Sequence, residues 1–233
     1  MAAPAIPLID EAAGNSRVLV KVCGFREESS FRAALDAGVD AVGLNFWPGS
    51  KRFVLPAEAA LWVAANPHPA LRIGVFVNPS DDEVLAPWQA GVIAAAQLHG
   101  DESPDQCARL MARGIPLIKA FGWTGAGSLR RARDCGTPYL LADAHAPGEF
   151  GGTGRTFDWA GLRGACAAFP DTRLILSGGL VPDNVADAVV AVHPVMVDAA
   201  SGVESAPGIK DPAKLAGFVN AARAVGIARG MRD

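Results

Sequence analysis

The chain of 233 residues lacks the sequence features of several large classes of protein. Its four cysteines form no C-x-x-C pair and are too sparse for a disulfide framework, which favours a reducing compartment. There is no H-E-x-x-H or clustered Cys/His set, so we expect no metal site. The chain has no G-x-x-x-x-G-K-[ST] loop, and its first strand is not followed by G-x-G-x-x-G. We therefore expect no nucleotide cofactor.

Charge and hydropathy narrow the choice of partners. The 21 Lys+Arg and 24 Asp+Glu residues give a net charge of −3, which argues against a nucleic-acid partner. No apolar run approaches the ~18 residues of a membrane span. The first residues have no basic segment and carry Asp10-Glu11, unlike a signal peptide. We expect a cytoplasmic protein with a flexible leader over residues 1–16 and a catalytic domain over residues 17–233.

Half of the residues are apolar, and they recur in a regular order. Eight short apolar runs, each followed by an Ala-rich segment of helical period, predict strands at 18–22, 40–46, 71–77, 92–98, 116–121, 138–143, 172–178 and 194–201. Strand–helix alternation implies a parallel sheet, and eight units favour a single-domain α/β fold, the closed (β/α)8 TIM barrel. An open doubly wound sheet is the alternative.

In such a barrel the active site lies at the carboxyl ends of the strands. The polar residues near those ends are Lys21, Cys23, Asn45, Asn78, Gln97, His99, Lys119, Asp143, Ser177 and Asp198. Side chains two residues apart share a face of a strand, so Lys21 can point inward with Cys23, and Gln97 with His99.

Cys23 is either a small buried apolar residue or a reactive thiol. Lys21 favours the second interpretation, because a nearby ammonium lowers a thiol pKa from about 8.5. Closure of the barrel would bring Asp198 beside the first strand, where it could pair with Lys21.

Asp143 ends the apolar run YLLAD and is either a loop or capping residue or an acid/base group. Partial desolvation at a barrel mouth would raise its pKa and make it a usable proton donor. Cys23 and Asp143 would then lie on opposite sides of the mouth, with room for a small substrate between them.

Three loops rich in small residues predict a phosphate site, since loops after strands 7 and 8 of such barrels often bind phosphate through backbone N–H groups. The residues concerned are Gly151, Gly152, Gly154, Ser177, Gly178, Gly179, Ser201 and Gly202. Arg52, after the second strand, is either a solvated surface residue or a bidentate clamp for a carboxylate.

Several segments closely resemble the phosphoribosylanthranilate isomerases of tryptophan biosynthesis. They are KVCGF, DAVGLNFWPGSKRFV, RIGVFVN, AAQLHGDE, PLIKAF, YLLADAHAPGEFGGTGRTFDW, LILSGGLVPDNVADAV and VDAASGVESAPGIKD, and they span about residues 18–215 in the order of the family. The resemblance implies a cofactor-free barrel that performs an Amadori rearrangement of N-(5-phosphoribosyl)anthranilate. It implies Cys23 as the general base, Asp143 as the general acid and Arg52 as the ligand of the anthranilate carboxylate.

With these roles we expect Arg52, His99, Lys21 and Asp198 to bind a phosphorylated small-molecule substrate in a monomer or homodimer. Two other functions stay open. One is a phosphosugar isomerase of the histidine pathway or of dual specificity, although that family has an aspartate where this chain has Cys23. The other is a non-catalytic barrel that binds a phosphorylated ligand, for which neither Cys23 nor Asp143 would be needed.

Overall fold

A computed structural model of the chain describes residues 3–14, 17–144 and 158–225. Eight parallel strands pair in the order β1 to β8, and β8 pairs with β1, so the predicted closed barrel is confirmed. The barrel strands are β1 (Leu19–Cys23), β2 (Ala41–Asn45), β3 (Leu71–Phe76), β4 (Ala95–Leu98), β5 (Leu117–Gly122), β6 (Tyr139–Asp143), β7 (Arg173–Leu176) and β8 (Met196–Ala199).

Each barrel strand is followed by a helix, and one further helix precedes β1. The helices are α1 (Pro7–Gly14), α2 (Glu28–Asp36), α3 (Pro56–Ala65), α4 (Asp81–Gln89), α5 (Pro104–Ala112), α6 (Ala126–Arg133), α7 (Trp159–Cys166), α8 (Val185–Val192) and α9 (Pro212–Ala224). Ser103 caps α5 as predicted, since its side chain accepts a hydrogen bond from Gln106 N. Pro87 lies inside α4 without ending it. In the described part of the chain, no helix is long and apolar enough to cross a membrane.

The strands are apolar on both faces because each face covers a different core. One core fills the space between sheet and helices and includes Phe31, Leu110 and Phe218. The other lies inside the barrel and includes Leu19 and Ile73. Because every second residue of a strand points to the same face, the residues that follow this inner core along each strand also point inward, at the carboxyl end of the barrel.

Residues 1–16 do not form the predicted flexible leader over the part that the structure describes. Helix α1 lies across the amino-terminal end of the barrel, where Ile9 is fully buried in the interior core. The phenol of Tyr139 on β6 donates to Asp10 Oδ2 at 2.6 Å and accepts from Ile6 N at 2.7 Å. The physical reason is that the amino-terminal end of the barrel would otherwise expose apolar side chains to water. The short helix α1 buries them with its apolar face.

A second addition to the eight-unit plan follows β8. A short 3-10 helix (Ser201–Val203) leads into an antiparallel hairpin of β9 (Glu204–Ala206) and β10 (Ile209–Lys210). The sequence predicted the eighth strand through residue 201 and no hairpin. The hairpin leans toward the end of β1, where Arg26 N donates to Gly208 O at 3.1 Å.

Candidate active site

A cavity opens at the carboxyl ends of the barrel strands, where the sequence predicted the chemistry. Its polar and glycine lining comes from six of the eight strand ends and their loops: Cys23, Asn45, Ser50, Arg52, Gln97, His99, Asp143, Ser177, Gly178, Gly179, Asp198, Ser201 and Gly202. Trp47, Val75, Val77, Leu180, Ala199 and Ala200 complete the wall. Most of the residues predicted for the site therefore meet in one place.

Cys23 is the last residue of β1 and its side chain fits against a glycine of the neighbouring strand. Its register partner is Gly43, where an added Cβ would lie 2.5 Å from Cys23 Sγ. Burial raises the pKa of the Cys23 thiol above its ordinary value; Lys21 opposes this shift and Asp198 adds to it. Lys21 thus acts on the thiol pKa in the predicted direction, but desolvation outweighs the ammonium and the net shift is upward.

Lys21 and Asp198 form the predicted ion pair across the closure of the barrel. Lys21 Nζ donates to Asp198 Oδ2 at 2.8 Å, and the two residues are register partners. Burial alone would lower the pKa of Lys21, but the charge of Asp198 and the hydrogen bond to it raise the pKa above its usual value, so Lys21 stays charged. Lys21 is fully buried and does not line the cavity, unlike the substrate-contacting position we expected.

Only one oxygen of Asp198 is used in this pair. Among the described residues, Asp198 Oδ1 is buried and has no hydrogen-bond partner, and Asp198 lines the cavity. A buried acceptor without a partner costs free energy that a ligand hydroxyl would recover. Lys21 therefore holds the aspartate through one carboxylate oxygen and leaves the second without a partner, in a residue that lines the cavity.

Asp143 lies inside β6 as its last residue and is 4% exposed, so it is neither a solvated loop residue nor a helix cap. His99 Nε2 lies 3.5 Å from Asp143 Oδ2. On its other side, His99 Nδ1 is 3.0 Å from the amide nitrogen of Gln97. The imidazole thus stands between a buried amide and a buried carboxyl group, and all three side chains line the cavity.

The loop after β7 approaches Asp143 closely because it is built of glycine. Gly178 has a φ of 90°, and a Cβ there would be 2.8 Å from Asp143 Oδ1 and 2.3 Å from Ala144 N. Gly202 in the loop after β8 is packed equally tightly, since a Cβ would lie 1.9 Å from Leu180 O. These loops leave backbone atoms at the cavity wall. The predicted residues Gly151, Gly152 and Gly154 lie outside the described residues.

Arg52 points into the molecule rather than into solvent. Its side chain is 16% exposed and lines the cavity, and Glu204 accepts from Arg52 Nε and Nη2, both at 2.7 Å. The hydrogen bond to Glu204 raises the pKa of Arg52, so its charge is permanent. The cavity therefore has a fixed cation on one side and glycine-rich loops on another.

Sequence reasoning missed two buried charges beside this site and included one that faces elsewhere. Glu204 and Lys210 pair at 2.8 Å next to Arg52, and their signal was the position of both in the quoted VDAASGVESAPGIKD segment. Lys119, which lies within the fifth apolar run, instead faces the helix layer and pairs with Glu102 at 2.5 Å. The site as a whole presents one thiol, two carboxyl groups and one imidazole to a single cavity, which suits acid–base chemistry on a small anionic molecule.

Comparison with known proteins agrees with this chemistry. The model of the N-(5'-phosphoribosyl)anthranilate (PRA) isomerase family matches residues 20–221. The chain is 44% identical over 215 residues to the N-(5'-phosphoribosyl)anthranilate isomerase of Myxococcus xanthus, covering 90% of this chain and 98% of that protein.

Solved structures give the same result. The crystal structure of phosphoribosyl anthranilate isomerase from Thermotoga maritima has a TM-score of 0.82 and 37% identity, covering 89% of this chain and 100% of the other. A second isomerase structure, in complex with reduced 1-(o-carboxyphenylamino)-1-deoxyribulose 5-phosphate, has a TM-score of 0.77, 34% identity and the same coverage.

Proposed function

Because this chain belongs to the N-(5'-phosphoribosyl)anthranilate isomerase family, we propose that Cys23 is the general base and Asp143 the general acid of its reaction. The activity of the chain is the isomerisation of N-(5'-phosphoribosyl)anthranilate in tryptophan biosynthesis. The observation that carries the two roles is that both side chains line one cavity at the catalytic end of the barrel.

The rearrangement needs one proton donor and one proton acceptor. Asp143 protonates the ring oxygen of the ribose, the C1–O bond breaks, and the nitrogen lone pair forms a Schiff base. Cys23 then removes the proton from C2 and gives an enolamine. Tautomerisation yields 1-(2-carboxyphenylamino)-1-deoxy-D-ribulose 5-phosphate. Every atom of the substrate is kept, and no external oxidant or reductant is consumed.

Anchors at both ends of the substrate would hold the reacting carbons between these two groups. Arg52 supplies a cation for the anthranilate carboxylate at one end. Ser177, Gly178, Gly179, Ser201 and Gly202 would surround the phosphate at the other, with Gly151, Gly152 and Gly154 assigned to the same role. His99 and the unpaired oxygen of Asp198 are suited to the sugar hydroxyls between them.

Burial of Cys23 bears on how the base works. A thiol whose pKa is raised holds its proton at neutral pH, so only a minority of the resting enzyme carries the thiolate. Lys21 stands beside the thiol and lowers the cost of forming the anion. We infer that Lys21 acts on Cys23 from below the cavity rather than on the substrate.

Steady-state turnover of N-(5'-phosphoribosyl)anthranilate by the purified chain tests the function. The change in anthranilate fluorescence should continue for many molecules per enzyme molecule. A change that stops at one molecule per enzyme would instead indicate the non-catalytic binding barrel. The aldose substrate of the histidine pathway, assayed beside it, should show no turnover; turnover of both substrates would indicate the dual-specificity alternative.

We further infer that the protein works in the cytoplasm, as a monomer or homodimer and without a nucleic-acid partner. The net charge of −3 supports the last point, because phosphate neutralisation needs an excess of basic residues. Light scattering of the purified chain would give its oligomeric state.

A further inference from the structure

The β9–β10 hairpin contacts the end of the catalytic strand β1, the loop that follows it and the first turn of α2. Lys210 N donates to Ser30 Oγ at 3.0 Å, and Arg26 N donates to Gly208 O at 3.1 Å. Lys210 Nζ donates to Cys23 O at 2.7 Å and to Ala200 O at 3.2 Å. The hairpin thus ties the end of β1 to the loop that follows β8.

Glu204, the first residue of the hairpin, lies between two cations. Its Oε1 accepts from Arg52 Nε at 2.7 Å, from Lys210 Nζ at 2.8 Å and from Gly208 N at 3.1 Å, and its Oε2 accepts from Arg52 Nη2 at 2.7 Å. The Glu204 and Lys210 side chains are 5% and 0% exposed. Burial alone would raise the pKa of Glu204, but the Arg52 hydrogen bonds and the Lys210 charge hold it below its usual value.

The way in which Glu204 binds Arg52 leaves part of the guanidinium available. Glu204 occupies the side of the group formed by Nε and Nη2. A guanidinium has five N–H donors, so Nη1 and the outer hydrogen of Nη2 stay available as a second fork. That fork has the geometry that binds a carboxylate with two parallel hydrogen bonds.

The aliphatic part of Arg52 is fixed as well. It crosses directly over Gly24, the residue after Cys23, where φ is +80° and an added Cβ would lie 2.4 Å from Arg52 Cδ. Ser50 Oγ accepts from Arg52 N at 3.0 Å. With its stem against Gly24 and one side of its head against Glu204, Arg52 keeps few rotamers.

We propose that Glu204 is a positioning residue that aims the outer fork of Arg52 at the carboxylate of the substrate and so determines specificity for a carboxylated aromatic ring. Lys210 balances the second charge and holds Glu204 in place. This inference rests on the proposed function, since it assigns a partner to the Arg52 of that site. It predicts that Glu204 contributes to affinity only for ligands that carry the carboxylate.

Two ligands test the proposal: 1-(2-carboxyphenylamino)-1-deoxyribulose 5-phosphate and its counterpart with an unsubstituted phenyl ring. Their Kd values are measured by titration calorimetry on the full chain. Glu204→Gln should weaken the carboxylated ligand about tenfold to hundredfold, the range for hydrogen bonds to charged groups, and the phenyl ligand less than about threefold. Turnover should show the loss mainly in KM.

The Arg52→Ala variant and the double variant complete a cycle. Arg52→Ala should abolish the preference for the carboxylated ligand, and adding Glu204→Gln to it should cost nothing further in that preference, because Glu204 acts only through Arg52. Independent, additive losses would overturn the proposal.

A buried ion pair elsewhere provides the matched control. Glu102 accepts from Lys119 Nζ at 2.5 Å and from Asn78 N at 2.9 Å, so Glu102→Gln also removes a buried charge. It should lower the melting temperature without changing the ratio of the two Kd values. If Glu204→Gln weakens both ligands equally, or neither, the proposal fails.

Glu204→Asp serves if the Gln variant does not fold, since it keeps the charge and shortens the reach by one methylene. It should reduce the preference for the carboxylated ligand partially, and an unchanged preference would contradict the positioning role. These binding measurements do not need catalysis. Absence of turnover in the unaltered chain would refute the proposed function, whereas an unchanged ligand preference in the variants would refute this inference alone.

Discussion

The two ends of the barrel are built from the same eight strands and differ in almost every other respect. At the amino-terminal end, the lower end, the strands carry apolar side chains inward, and Ile9 of α1 and Ile6, the residue before that helix, cover them. At the carboxyl end, the upper end, the same inward positions carry Cys23 and other polar groups around a cavity, with Lys21 beneath them. On β1, for example, Leu19 belongs to the apolar core and Lys21, two residues further along, carries a buried charge.

The difference indicates that the two ends have different roles: one stabilises the fold, and the other carries the reaction. Apolar burial at the lower end stabilises the fold without directional constraints. Buried charges at the upper end cost desolvation energy that their pairing only partly offsets, so they are kept for what they do to a ligand. Substitutions at the lower end should therefore change unfolding and leave turnover intact, and substitutions at the upper end should do the reverse.

The largest expected effect is on turnover at the upper end. Cys23→Ala and Asp143→Ala should each lower kcat by at least about 10²-fold, the lower range for loss of a general acid or base. Their melting temperatures should stay the same or rise, because each variant removes a polar group whose burial costs desolvation energy. Steady-state kinetics and thermal denaturation of the same samples check both statements.

Cys107→Ala is the control for this experiment. Cys107 is 1% exposed in the helix layer, outside the barrel interior. Its loss should lower the melting temperature and leave kcat unchanged. A near-normal kcat in either of the other two variants would remove the role proposed for that residue.

The next largest effect is on stability at the lower end. Ile9→Ala removes a fully buried side chain and should lower the free energy of unfolding by about 2–4 kcal/mol. Below the melting transition, kcat and KM should match those of the unaltered chain. Urea denaturation and steady-state kinetics measure the two quantities.

The matched surface variant is Leu61→Ala on α3, where the side chain is 70% exposed. It should change stability by no more than about 0.5 kcal/mol. Equal losses in the two variants would mean that α1 is not docked on the barrel, and the division between the two ends would lose its basis.

The two ends of the barrel differ in how well their residues can be predicted from the sequence. The eight units and the catalytic mouth are predictable because glycine and polar residues follow each apolar run. Lys119 is not assignable in this way, because strands that are apolar on both faces show no alternation that marks which face is inward. Helix α1 was missed because a short Ala- and Pro-rich segment acquires its helical structure from the barrel it covers.

Glu204 and Lys210 were missed for a different reason. Their contacts join residues 152 and 187 positions apart in the chain, from Arg52 to Glu204 and from Cys23 to Lys210. Nothing local in the segment from 204 to 210 signals these partners. The effect of Lys21 on the Cys23 pKa was predictable, but the net upward shift was not, because the sequence shows the neighbouring Lys21 and not the depth of burial.

A smaller effect concerns pH at the upper end. Cys23 must lose its proton to act as a base, so kcat/KM of the unaltered chain should rise with pH toward a thiol pKa above the ordinary value. Lys21→Met removes a cation that favours the thiolate and should shift this rise to higher pH by about one unit. Asp198→Asn removes an anion that opposes it and should shift the rise to lower pH.

Full pH–rate profiles of the three proteins check these signs. Shifts in the same direction for both variants would show that the Lys21–Asp198 pair affects the rate through packing rather than through the charge at Cys23. Because Asp198 also lines the cavity, its substitution can change the absolute rate for other reasons. The comparison therefore uses the pH at which kcat/KM rises and not the absolute rate.

The smallest expected effect concerns Tyr139 at the lower end, the single tyrosine of the chain. Tyr139→Phe removes the hydroxyl that joins α1 to β6 and leaves Ile6 N without that acceptor, which should cost about 1 kcal/mol of unfolding free energy. Burial, with the hydrogen bond to Asp10, raises the pKa of Tyr139 to about 12. In the unfolded chain a tyrosine has a pKa of about 10.

The folded state therefore favours the protonated phenol, and its contribution to stability is complete below about pH 10 and is lost as the pH rises toward 12. Denaturation at a series of pH values should show a steeper loss of stability above pH 10 in the unaltered chain than in the Phe variant, while kcat of both stays the same at neutral pH. Parallel curves above pH 10 would mean that the phenol does not hold α1 against the barrel, and a fall in kcat would mean that the lower end acts on the chemistry after all.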